Sequence, residues 1–194
     1  MEPTGTGKNL SNGSVGRDKG ALQYLPVGLF GSTVAISGLS IAWSQASAIF
    51  GLSKDVGTGI AILAWSMYMF LIILYVTKII KYPEAVKKEL SNPVAGNFLG
   101  TFFISTVLLG SVTVPFSLDL ARGVWIAGAA GGSVFMYKLT SRLFRGQLSI
   151  LDTEPPALIP GLVLLNAVVA GSRMEFKWGR EAELILFSVG IVYV

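Results

Sequence analysis

Charged side chains are excluded from the long apolar stretches of this chain. All 15 Lys and Arg side chains and all 11 Asp and Glu side chains lie outside five long uncharged segments and a sixth that reaches the C-terminus. A charge at the centre of a membrane helix costs about 2.5–3.5 kcal/mol on insertion scales, so a spanning segment excludes it. A soluble domain of 194 residues would distribute its charges over every surface helix or strand. The pattern therefore predicts an all-α polytopic membrane protein.

The composition limits the chemistry that the chain can perform. Hydrophobic residues make up 52% and charged residues 13%, against about 25% charged residues in an average soluble domain. The net charge of +4 does not predict a nucleic-acid partner, because cationic cytoplasmic loops produce the same excess. His and Cys are absent, which removes imidazole and thiolate chemistry and metal ligation by these residues. We therefore predict no enzymatic activity, no catalytic residue, no bound metal and no cofactor.

Six membrane spans follow from the uncharged segments and their flanks. Residues 1–23 are polar and are predicted to form a disordered cytoplasmic tail. The predicted transmembrane domain covers 24–194, with spans at 24–43, 56–77, 94–114, 123–141, 157–172 and 184–194, the last of them truncated. Trp43 is expected at the membrane interface, where the first span ends. Pro83 is expected to stop the second helix ahead of a short surface helix.

The loops between these spans differ in positive charge. The tail and the loops after spans two and four hold ten Lys and Arg residues, and the other three loops hold five. Cytoplasmic loops have the excess of Lys and Arg, so the N-terminus is predicted to be cytoplasmic. The expectation is that Lys78, Lys81, Lys87 and Lys88 are cytoplasmic and that Lys54 and Arg122 are not.

Small and polar residues are frequent in spans one, three and five. The candidates for lining a pore are Gly28, Gly31, Ser32, Gly38, Gly100, Ser105, Pro160 and Asn166. The same residues would allow helices to approach closely, and packing is the favoured interpretation of the pattern as a whole. Span two has bulky residues instead, as expected of a helix that faces lipid. Replacing Gly31 or Gly38 by Leu is therefore expected to damage the protein more than Ala64→Leu.

Two residues of span five have two interpretations each. Pro160 either kinks the interior of the helix, or lies in its first turn, where no hydrogen bond is lost. Asn166 bonds either to a neighbouring helix or to a solute, and the neighbouring helix is favoured. Both residues are expected to border a solute path only if a kink turns the later half of the helix inward.

Three blocks of the sequence resemble one family of membrane transporters. They are LPVGLFGSTVAISGLSIAW at 25–43, YVTKIIKYPEAVKKELSNPVAGNF at 75–98 and PPALIPGLVLLNAVVAG at 155–171. In their order and spacing they resemble the tellurite-resistance/dicarboxylate transporter family, which includes TehA, the fungal malate and sulfite carriers and the plant slow anion channels. The resemblance covers residues 24–194.

The resemblance implies a fold of ten helices, arranged as five hairpins around a central pore. Odd-numbered helices would lie inside and even-numbered helices outside, with prolines kinking the conducting helices, and the protein would be a homotrimer with one pore in each protomer. The family's gate is a phenylalanine on the ninth helix, and this chain ends in the sixth, so no residue here matches it. We interpret the chain as an N-terminal fragment; the alternative is that further copies or a second chain complete the barrel.

The function implied by the resemblance is transport of small anions across the plasma (inner) membrane, with the lipid bilayer as the other partner. The substrate class would be chloride or nitrate, sulfite, a C4-dicarboxylate or tellurite. No carboxylate or His lies within the spans, which favours a channel or uniporter over a proton-coupled pump. The alternatives are a membrane scaffold or subunit that transports nothing, and a proton-coupled exporter of organic compounds.

Overall fold

The part of the chain that the structure describes is helical. The computed structural model describes residues 20–144, 155–174, 176 and 179–194. Eight α-helices lie within them: α1 Phe30–Phe50, α2 Lys54–Lys81, α3 Pro83–Ser91, α4 Pro93–Asn97, α5 Leu99–Thr113, α6 Leu118–Phe144, α7 Ile159–Gly171 and α8 Gly179–Tyr193. Of the predicted disordered tail, residues 1–19 lie outside the described residues, and residues 21–23 belong to the 3-10 turn Ala21–Tyr24.

The first two helices extend beyond their uncharged segments. The helix α1 continues seven residues past Trp43, so Trp43 does not mark the end of the helix, and its position at the membrane interface stays a prediction. The Trp43 indole Nε1 instead donates a hydrogen bond to the carbonyl of Ser53, at 3.0 Å, in the turn before α2. Gly51 makes this turn possible, because its φ of +67° is a conformation that other residues rarely adopt. The helix α2 includes charged residues at both ends, and its 28 residues span about 42 Å.

The third span, which is uncharged throughout, is broken into two helices. Asn92 caps α4, where its Oδ1 accepts from the backbone N–H groups of Val94 and Ala95 at 3.0 and 2.9 Å. The chain then turns at Phe98 before α5 begins. Pro83 acts as predicted, because it ends the continuation of α2 and starts the short helix α3 at its first turn.

The helices form three hairpins, and one helix of the middle hairpin contacts the other two hairpins. The helix α1 packs on α2, α5 on α6, and α7 on α8. The helices α1 and α7 both also pack on α5, so spans one and five are neighbours of span three. More than half of the span Val94–Thr113 is buried (56%), against 28% for Val27–Phe50 and 22% for Lys54–Lys81. The helix α5 is therefore the centre of the described structure.

Glycines set the distance between α5 and α6. A Cβ atom on Gly110 would lie 3.0 Å from the carbonyl oxygen of Ala121, and one on Gly128 would lie 2.9 Å from the amide nitrogen of Val107. Such approaches are possible only without a side chain, so the glycine-rich stretch of α6 is used for packing on α5. Trp125 fills the space at the end of this contact and donates from Nε1 to the carbonyl of Ala167 on α7, at 2.9 Å.

A second core joins α1, α2 and α5, and it corrects the expected outer position of Ala64. The Phe30 ring packs edge-on against Tyr68, at 5.8 Å between centroids, and against Phe102, at 5.1 Å. Ala64 belongs to the same cluster and has no exposed surface. A small residue on α2 thus marks a contact with the neighbouring helices, whereas the exposed bulky residues of α2 lie elsewhere on its surface.

Three described helical segments are long and apolar enough to cross a membrane, namely Val27–Phe50, Lys54–Lys81 and Val94–Thr113. The helix α7 is apolar but has only 13 residues, and α6 has sufficient length but contains several charged residues. The fold is thus that of an all-α membrane protein, and the number of six spans stays a prediction.

We predict that Ala64→Leu destabilises the protein more than Gly38→Leu, the reverse of the expectation from sequence. The larger side chain at Ala64 must enter a filled core, which costs about 1–3 kcal/mol. A Cβ on Gly38 would meet no atom within 4 Å, and the same is true of Gly59 on α2, which provides a control. Thermal unfolding in detergent, followed by Trp fluorescence, measures the three variants. An equal loss of thermal stability for Ala64→Leu and Gly38→Leu would contradict the assignment of Ala64 to a filled core and of Gly38 to open space.

Candidate functional site

The helices α1, α5 and α7 run in the same direction and begin at the same end of the bundle. A Cβ on Gly28, just before α1, would lie 3.3 Å from the Phe98 ring at the start of α5. A Cβ on Gly100 would lie 2.5 Å from Cγ2 of Ile159, the first residue of α7. At the other end, Arg173 after α7 donates to Ser111 Oγ near the end of α5, at 3.4 Å. The three helices therefore form a wall of parallel helices.

Four of the eight predicted pore-lining residues lie at contacts between these helices. Gly28 and Gly100 lie at the close approaches just described. Ser105 is fully buried, and its hydroxyl lies 2.8 Å from the carbonyl oxygen of Phe30 and 2.7 Å from that of Thr101, to which it donates. Pro160 is also fully buried. These positions are those expected of residues that pack helices together.

The roles of Pro160 and Asn166 are local to the helix α7. Pro160 lies in the first turn of the helix, where its missing N–H would have had no helical partner. Of the two interpretations of Pro160, the structure therefore agrees with the first-turn position and not with a kink in the helix interior. Asn166 is half-buried and donates from Nδ2 to the carbonyl of Leu162 in its own helix, at 2.8 Å. Among the described residues, the favoured bond from Asn166 to a neighbouring helix is not made.

The other candidates lie on one side of α1 that no described residue covers. Gly31 and Gly38 have open space where a Cβ would stand. Helical spacing places Ala35, Ala42 and Gln45 on the same side, and all three are exposed. We call these five residues the uncovered face of α1. Ser32 lies at its edge, with its hydroxyl donating to the carbonyl of Leu29 at 2.6 Å.

The wall is uncharged along its length, and charged residues are found at its ends. The helices α1, α5 and α7 contain no Lys, Arg, Asp or Glu. At the far end, Arg122 donates from Nε and Nη2 to the carbonyl of Met174, at 3.1 and 3.0 Å. Together with Arg173, it places two guanidinium groups beside the ends of α5 and α7. Sequence reasoning treated both arginines only as loop charges.

A buried ion pair lies at the near end of the wall, where α1 and α5 begin. Lys78 and Glu89 pair with side chains only 3% and 13% exposed. Lys78 Nζ also donates to the carbonyl of Leu25 at 2.6 Å, and the backbone N–H of Val27 donates to Glu89 Oε1 at 2.7 Å. The network ties α2, α3 and the segment before α1 together. Lys78 is thus part of a helix and buried, rather than in a basic loop as predicted.

Comparison with known proteins identifies the family. The family model described as SLAC1, voltage-dependent anion channel, matches residues 24–194. The chain belongs to the SLAC1 family. The resemblance inferred from the three sequence blocks is thereby confirmed, over the same residues. The description of the family as an anion channel agrees with the apolar helices in identifying an integral membrane protein.

Two relatives of this chain illustrate the extent of the similarity. The tellurite resistance protein TehA homolog of Haemophilus influenzae is 28% identical over 169 residues, which is 87% of this chain and 51% of the relative. The uncharacterized transporter MJ0762 of Methanocaldococcus jannaschii is 27% identical over 109 residues, which is 55% of this chain and 32% of the relative. The chain spans about half the length of the first relative.

We predict that Glu89→Gln destabilises the protein by about 3–5 kcal/mol, because it leaves the buried Lys78 charge without its partner. Glu84→Gln is the matched control, since Glu84 is an exposed carboxylate on the same helix. Its effect is expected to stay within about 0.5 kcal/mol. Unfolding in detergent at increasing denaturant concentration measures both, and similar midpoints for the two variants would contradict a structural role for the pair.

Proposed function

We propose that α1, α5 and α7 form part of the wall of a transmembrane path for small anions. The observation that supports this most is the uncovered face of α1, which belongs to an uncharged wall of three parallel helices. Small side chains on that face leave room for a solute and expose the helix backbone. Membership of a family of anion channels agrees with an anionic solute.

Selection in such a path would come from weak dipoles rather than from fixed charges. No basic side chain lies within the three helices, so an anion would meet hydroxyl and backbone groups such as those near Ser32. Sites of this kind favour anions that lose their hydration water easily, and they release the ion quickly. Chloride or nitrate fits this description, and sulfite, C4-dicarboxylates and tellurite remain the other members of the proposed substrate class.

The direction of the wall helices adds a field that favours anions at one mouth. Helix N-termini have a partial positive charge, and α1, α5 and α7 begin at the same end. Aligned dipoles at a mouth raise the local concentration of anions. By the distribution of Lys and Arg, we assign this mouth to the cytoplasm and the protein to the plasma (inner) membrane. We further propose a homotrimer in which each protomer has its own path.

The transport prediction is that Gly38→Leu lowers chloride and nitrate flux in liposomes by about tenfold or more, while the protein remains folded. The added side chain would project from the uncovered face of α1 into the path. Gly59→Leu makes the same chemical change on α2, where a Cβ also meets open space, and should leave flux unchanged. If Gly38→Leu conducts as well as Gly59→Leu, this face is not the path. All flux measurements use the full-length protein, in which no flux of any anion would favour a scaffold.

The orientation prediction uses the absence of native Cys. Lys87→Cys and Lys54→Cys introduce single thiols at exposed positions near opposite ends of α2. A membrane-impermeant thiol reagent added to intact cells should label the thiol at 54 and spare the one at 87. Labelling at 87 alone would place the mouth of the wall on the outside.

A further inference from the structure

A groove lies between the end of α2, the helix α3 and the last turn of α6. It has a volume of about 500 Å³, in the range of small-molecule sites. Ile79, Val86 and Leu90 form its apolar lining, and Lys87 and Arg142 contribute positive charges from two different helices. Nothing in the transport path uses these residues.

The two cations of the groove have no acidic partner among the described residues. The described ion pairs join Lys78 to Glu89 and Arg122 to Asp119. No carboxylate belongs to the residues that line the groove. An anion could therefore approach Lys87 and Arg142 without displacing an existing partner, and it would gain from both charges.

The length of α2 leads us to expect the groove at the depth of the lipid headgroups. The helix α2 is about 42 Å long, whereas the hydrocarbon core of a bilayer is about 30 Å thick, so the ends of α2 reach the headgroup layers. Ile79 is 45% exposed and Val76, one turn earlier, is 46% exposed, so an apolar surface extends from the groove along α2. An acyl chain would make favourable apolar contacts with this surface, whereas a soluble anion would not.

The ion pair between Lys78 and Glu89 holds the groove in a fixed shape. Glu89 follows Lys87 by two residues on α3, and its bond to Lys78 fixes α3 against the end of α2. Val86 is 8% exposed and packs inward on the same helix. The positions of Lys87 and the apolar lining are therefore set before any ligand binds, which reduces the entropy lost on binding.

We propose that this groove binds an anionic phospholipid of the surrounding bilayer. The phosphate contacts Lys87 and Arg142, and the first part of an acyl chain lies along Ile79, Val86 and Leu90. Basic pockets between membrane helices recognise anionic headgroups by this combination of charge and apolar surface. The site is independent of the solute that crosses the membrane.

The test compares two double variants of the purified protein in a neutral detergent. Native mass spectrometry measures the binding of phosphatidylglycerol, with phosphatidylcholine as the zwitterionic reference. Lys87→Ala/Arg142→Ala removes both groove cations. Lys88→Ala/Lys138→Ala removes two exposed cations from the same two helices outside the groove, so the change in net charge is identical.

We expect Lys87→Ala/Arg142→Ala to weaken phosphatidylglycerol binding by about 10- to 30-fold, while Lys88→Ala/Lys138→Ala changes it by less than about threefold and phosphatidylcholine binds weakly throughout. Ile79→Ser, at an exposed position, should also weaken phosphatidylglycerol. Equal losses in the two double variants would overturn the proposal, because attraction would then depend on net charge alone. Inorganic phosphate that displaces the lipid at millimolar concentration would overturn the assignment to a lipid in favour of a soluble anion.

Discussion

Close approach between helix backbones is the constraint on which the rest of this structure depends. In a membrane, apolar surface alone does not drive helices together, since lipid is as apolar as the side chains. Association needs dense van der Waals contact, which glycine permits. Gly110 and Gly128 bring α5 and α6 together, and Gly100 brings α5 to α7. A larger residue at Gly110 or Gly128 would push α5 and α6 apart, and one at Gly100 would push α5 away from α7.

Much of the fold could be predicted from the positions of the charges, but the ends of the helices could not. An uncharged segment indicates only the part of a helix that hydrocarbon surrounds. The helix itself extends beyond that part for as long as its backbone hydrogen bonds continue. The helix α1 ends at Phe50 rather than near Trp43, and α2 includes Lys78 because Glu89 neutralises it. The pairing of residues eleven positions apart, across a proline, leaves no periodic pattern that sequence reasoning could use.

The candidate site was only partly predictable, for a different reason. A small residue can lie at a close contact between helices or beside open space, and the sequence does not distinguish these two cases. Ser105 and Gly100 are at helix contacts, whereas Gly31 and Gly38 face open space, although all four occur in odd-numbered spans. Ala64 shows the same ambiguity on an even-numbered span. Only the neighbours of each residue in three dimensions separate these cases.

The network around Lys78 also has a consequence for biogenesis. Leu25, Val27, Lys78 and Glu89 all precede α5 in the sequence, so all four leave the ribosome before α5 does. Chains form their N-terminal units first during synthesis. The first hairpin can therefore leave the translocon with its buried lysine already neutralised, and it offers the later hairpins a surface of fixed shape on which to assemble.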